Sequence, residues 1–214
     1  MRRLLAALAL VGAGGLPAAQ EPADLLAAAR VVGEAAAWEN EYVRVWYQLL
    51  EYPAAERRVA ESRPVVLYVR VTSETDVAGT HLLQAPRGVR SLWRPGVVPC
   101  GVRVEMLARP PAPPALGEPD TDPPRGATTE EHRRYRLILA AFRPHDYWVG
   151  TGRLPSVTIF LSDGVVEVRT QGVRRKMGVR ACDAFWFEAF TRLTVVHDDP
   201  VGAAIVQLSP AASS

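Results

Sequence analysis

Four histidines, two cysteines and a few carboxylates on strand-like segments are the residues of this chain that could do chemistry. Metal chemistry needs about three nitrogen, sulfur or oxygen ligands brought together. His81, His132, His145 and His197 are widely separated, so any such centre has to be assembled from distant segments. Thiol chemistry needs a base beside a cysteine. Cys182 and His197 sit on one hairpin-like unit and could form that pair. The plainer arrangement, which the residues favour, has Cys182 packed or bridged and His197 in a polar turn beside Asp198 and Asp199. Acid–base chemistry needs converging carboxylates; Glu167 and Glu188 are the nearest on expected strands, and alternation turns both to water. There is no Gly-x-Ser-x-Gly elbow and no phosphate-binding glycine loop. Cys100 and Cys182 are an even pair that suits a disulfide in an exported protein, with two buried thiols as the alternative. Lacking Cys-x-x-Cys spacing, they do not suggest structural zinc.

The elements that must position these residues are mostly strands. At 214 residues, 48% hydrophobic and 22% charged, the chain can bury one medium core or two small ones. Lys176 is its only lysine, a bias that reads as a GC-rich bacterial genome and not as a nucleic-acid surface. Arg174-Arg175-Lys176 reads as a solvated hairpin. Arg2 and Arg3, the apolar run Leu4 to Leu16 and the small residues Ala18 and Ala19 follow the three-part pattern of a secretory signal peptide over 1–19, with a retained anchor as the alternative. A periplasmic or secreted protein is expected, with no membrane association after cleavage. Without Arg2 and Arg3 the charges balance, and no nucleic-acid partner is expected.

Asp24 can cap a short helix through Leu25 to Arg30, which Gly33 weakens at its end. Strand-rich stretches then begin at Tyr42 and Pro64, with shorter ones at His81–Leu83, Ser91–Trp93 and Val102–Leu107. Seven prolines between Arg109 and Glu131 suit a linker or a long surface loop. Beyond it, Tyr135–Leu139 echoes Tyr42–Trp46, and Pro155–Leu161 echoes the strand from Pro64. Ala184–Phe187 echoes Ser91–Arg94, and Ala204–Leu208 echoes Arg103–Leu107. One offset separates both Tyr42 from Tyr135 and Trp93 from Trp186, as a duplicated unit would give. Ser162-Asp163-Gly164-Val165 has the composition of a hairpin turn.

Four segments together resemble a cupin, the small jelly-roll β-barrel family. They are Trp38–Val45, Pro155–Gly164, Ala181–Phe187 and Asp198–Val201. The resemblance implies an all-β, cupin-like jelly-roll barrel or sandwich in two tandem lobes, 38–108 and 132–210, joined by the linker 109–131 and preceded by the short helix. It also implies where a His-x-His pair, a glutamate and a second-motif histidine would stand. Those positions fall near Thr151 and Arg153, on Val157 and on Leu193; the trailing Asn falls on His197, and the motif's two glycines on Cys182 and Phe190. Valine and leucine offer no lone pair, and a guanidinium repels a metal. The first lobe has no histidine before Pro64 and too short a turn after Trp93. No metal and no cofactor are therefore expected, leaving aside a site built from distant histidines.

In this geometry Thr151, Arg153, Trp186, Leu193 and His197 are the candidates to line a ligand pocket, with Arg153 favouring a carboxylate or phosphate. The alternative is a barrel filled by Phe160, Phe185, Trp186 and Phe190. The resulting expectation is an exported, cupin-like, non-catalytic module that binds a small molecule or a protein, or serves a structural role, with a homodimer among the options. A cupin-type isomerase or metal-dependent oxygenase with non-standard ligands is the alternative.

Overall fold

The computed structural model describes residues 30–51, 66–73, 76–84, 100–112, 126–144, 147–149, 154–196 and 199–210. These hold fourteen strands and no helix: β1 (Arg30–Glu39), β2 (Val43–Glu51), β3 (Val66–Ser73), β4 (Asp76–Gln84), β5 (Cys100–Met106), β6 (Thr128–Glu131), β7 (Tyr135–Phe142), β8 (Tyr147–Val149), β9 (Ser156–Phe160), β10 (Gly164–Thr170), β11 (Val173–Val179), β12 (Ala184–Phe187), β13 (Arg192–Val195) and β14 (Val201–Leu208). The expected helix over Leu25–Ala29 lies outside the described residues. Arg30, expected to end it, instead opens β1. Its run from Arg30 to Glu39 pairs antiparallel with β2, so ladder bonds override the helix preference of its alanines.

Three sheets form three layers. The first is ordered β1-β2-β5-β3-β4, the second β12-β9-β14-β7-β6 and the third β11-β10-β13-β8. The middle sheet is buried on both faces. Tyr135, Leu137, Val157, Ile159, Ala204, Val206 and Leu208 meet Val43, Val45, Val69, Val71, Val102 and Val104 of the first sheet. Their strand neighbours Ile138, Ala140, Phe142, Phe160, Ala203 and Ile205 turn the other way, onto Val166, Val179, Leu193 and Val195. This is why β14 is buried at every position and shows no polar–apolar alternation.

Strands β7 to β14 alternate between the second and third sheets, with only β10 and β11 forming a hairpin within one layer. That order, two four-stranded sheets with Greek-key crossings, is a jelly roll. The span 38–108 contributes, among the described residues, the single first sheet. It contains a parallel pair, β3 with β5, whereas β9 and β14 run antiparallel. The pairing of β2 with β5 does match that of β7 with β14. Strand β6 falls inside the segment expected to be a linker.

Asp163-Gly164 does not close a hairpin, because β9 and β10 belong to different sheets; the turn carries the chain across the roll. A Cβ at Gly164 would run into the Val201 side chain, so glycine permits that crossing. Arg174, Arg175 and Lys176 lie exposed on β11, after a turn with Gln171 and Gly172 in the left-handed region.

Candidate functional site

Two places can be compared with the expected chemistry: the inside of the roll, and the seam where its edge meets the first sheet. Inside the roll, two turns have unusual backbone. Cys182 has φ 81° and Phe190 φ 62°, two of the three non-glycine residues in the left-handed region among those described. These are the positions where the resemblance puts glycine, the residue that adopts this conformation without strain. Leu193, where the resemblance would put the second-motif histidine, lies inside the roll. It is 1% exposed and packs with Phe142, Phe160, Val166, Phe187 and Val195.

The other expected pocket residues do not gather there. Trp186 belongs to the opposite face of the middle sheet, stacked on Tyr42 with ring centroids 5.7 Å apart, its indole N–H donating to Glu188 at 2.6 Å. Alternation along β12 turns Phe185 and Phe187 into the roll and Ala184 and Trp186 away from it. Thr151, Arg153 and His197 lie outside the described residues. Of the aromatics expected to fill the interior, Phe160 does so and Phe185 packs against it, while Phe190 is exposed. Val157 faces the first sheet; its neighbours Ser156 and Thr158 share the inward face of Phe160 and are buried, their hydroxyls without a hydrogen-bond partner. Glu188 is exposed, as alternation suggests, and Glu167 is half-buried on β10. Cys182 is disulfide-bonded and so is not a nucleophile; the chain's one other cysteine is Cys100.

The seam is different. His81 on edge strand β4, Glu130 on edge strand β6 and His132 just past it each place a ligand-capable atom within 4.8 Å of the others. His81 Nδ1 is 3.2 Å, and His132 Nε2 3.7 Å, from Glu130 Oε2. Beneath them lies the fully buried Tyr135, whose hydroxyl is 2.7 Å from His81 Nε2. The Tyr135 ring stacks on His132 with centroids 4.3 Å apart and stands edge-on to His81. The backbone N–H of His132 donates to the Tyr135 carbonyl at 2.9 Å. A Cβ at Gly79 would collide with the Tyr135 hydroxyl, so this glycine admits the phenol to His81. Burial holds the His81 imidazole below its ordinary pKa; Glu130 opposes this and His132 adds to it. Burial first, then the Glu130 charge, pushes Tyr135 up to about 12. The arrangement can share protons along Tyr135–His81–Glu130 or take a cation between the imidazoles and the carboxylate. Sequence spacing hid His81 from the other two. Glu130 and His132, two residues apart, did carry a signal, because that spacing puts side chains on one face of an extended chain.

No family model and no curated protein matches the chain. Among solved structures it is similar to a cupin domain from Bordetella pertussis Tohama I, at 11% identity over 42% of this chain and 98% of that one, with a TM-score of 0.33. A Cupin 2 conserved barrel domain protein from Salinispora arenicola CNS-205 is 14% identical over 44% and 71%, with a TM-score of 0.30. A cupin-2 domain containing protein from Shewanella frigidimarina NCIMB 400 is 9% identical over 42% and 85%, at 0.31. These likenesses are slight and reach under half of the chain. The strand order decides the fold. The second half is a jelly roll. Around Leu193 the roll packs Phe142, Phe160, Val166, Phe187 and Val195 into one apolar cluster.

Proposed function

We propose that this chain is an exported, cupin-like, non-catalytic module that acts through its surface, as a structural or interaction partner. The observation that carries the reading is Leu193, buried in one cluster with Phe142, Phe160 and Phe187 at the place where the resemblance would put an imidazole. Leucine and phenylalanine side chains offer neither a metal ligand nor a proton donor. The export half of the reading rests on the 1–19 segment, and the mass of the mature N-terminus tests it: a chain that still carries Met1 to Leu16 contradicts it.

Metal content tests the non-catalytic half. To leave the seam out of account, the protein should carry Glu130→Gln and His132→Ala, be purified natively without a tag, and be assayed for Fe, Mn, Ni and Zn. We expect none in stoichiometric amount. One equivalent retained by this variant would place ligands inside the roll and favour a cupin-type enzyme with unusual ligands.

A second reading is favoured by the buried hydroxyls of Ser156 and Thr158, since buried polar groups normally have partners. A small carboxylate or phosphate held by these and by Arg153 would supply them. Its test is a rise in melting temperature with such anions that Arg153→Ala abolishes.

A further inference from the structure

We propose that His81, Glu130 and His132 form a binding site for a divalent late first-row transition ion, of which zinc is the type, clamping the edge of the first sheet to the edge of the roll. Two imidazoles and one carboxylate are a donor set such ions accept, with a fourth position left for water.

The geometry fits. Tetrahedral bonds of about 2.0–2.2 Å require ligand atoms roughly 3.3–3.6 Å apart. The contacts from Glu130 Oε2 to His81 Nδ1 and His132 Nε2, at 3.2 and 3.7 Å, bracket that spacing, and all three ligand atoms lie within 4.8 Å of one another, so binding needs at most a small inward shift of the imidazoles. His132 Nε2 is buried with no hydrogen-bond partner, although it faces the carboxylate. An ion would satisfy it. On the other histidine, the Tyr135 hydroxyl at 2.7 Å from Nε2 leaves Nδ1 for the ion and fixes the ring plane, which is the usual work of an outer-shell partner. Tyr135 also holds the second ring by stacking, so one buried phenol orients both imidazoles. Glu130 is 61% exposed, which gives the ion an approach and the fourth ligand a place.

This site lies outside the roll, and its presence or absence is independent of the function proposed above. A tag-free, chelator-stripped full chain is titrated with Zn2+ against a chromophoric competitor, and with Co2+ by visible absorption. The expected result is one equivalent of Zn2+ and the intense visible bands of four-coordinate cobalt. Glu130→Gln should weaken binding at least about tenfold, and His132→Ala about a hundredfold. Tyr135→Phe, a positioning change, should weaken it about tenfold while the apo protein stays folded. His145→Ala with His197→Ala should leave it unchanged. No saturable binding, binding indifferent to both Glu130→Gln and His132→Ala, or loss in the His145/His197 variant would each overturn the proposal. Matched urea midpoints for the apo forms of the wild type, Glu130→Gln and His132→Ala show that a loss of affinity is not a loss of fold.

Discussion

The inside of the roll and the seam at its edge are built on the two faces of one sheet, yet they hold opposite chemistry. Facing inward, Ile138, Ala140, Phe142, Ala203 and Ile205 pack onto apolar residues of the third sheet. Facing outward, Tyr135 at the start of the same strand β7 reaches two imidazoles and a carboxylate. The difference is access to water. A charge sealed in the roll would lose its hydration with nothing to replace it, a cost of several kcal/mol. At the seam Glu130 keeps more than half of its side chain in solvent, so His81 can be nearly buried beside it at small cost. Ionisable groups persist in this fold where a sheet edge lets water in.

The contrast can be tested from its strongest element downward. Leu193→Ala should destabilise the protein by about 2–5 kcal/mol in urea unfolding, the range for a leucine in a filled core; a change under about 1 kcal/mol would mean that Leu193 borders a void. Cys182→Ser should cost about 2–4 kcal/mol, because a disulfide closing a long loop restricts the unfolded chain. Cys182 also packs against the core shared by the first sheet and the roll, and Trp38 donates to the Ala184 carbonyl nearby at 2.9 Å. Loss of the bridge should therefore lower one cooperative transition and not split it in two. Two separated transitions in calorimetry would show the first sheet to be an independent unit. Smallest is Phe190→Gly. Phe190 is 43% exposed and at φ 62°, so glycine should be neutral or stabilise by up to about 1 kcal/mol. Destabilisation beyond that would mean that the Phe190 ring carries contacts outweighing its backbone strain.

Much of the roll was legible in the residues. The strands from Tyr135, Pro155 and Ala184 stand where β-branched and aromatic runs put them, and the two positions where the resemblance implied glycine, Cys182 and Phe190, have left-handed backbone. The inner face of β12 was not legible: Phe185 and Trp186 are both large and apolar, and only pairing with β9 decides which one turns inward. The third layer was not legible either. Local pattern shows that Val201–Leu208 is apolar apart from Gln207, but not that two different sheets cover it. The seam cluster depends on that same stacking, since β4 and β6 approach only once the first sheet lies on the second. The echo between the halves located strands β2 and β5 correctly and did not foresee that β3 runs parallel to β5.

The central claim is that Leu193 is sealed inside the roll. Leu193→Cys tests it most directly, because Cys182 is already bonded and the added thiol is the one to be labelled. Under native conditions the introduced thiol should resist an aromatic disulfide reagent and react only as fast as the whole protein unfolds. Immediate, stoichiometric labelling of the folded protein would reveal an open pocket at Leu193 and contradict the account.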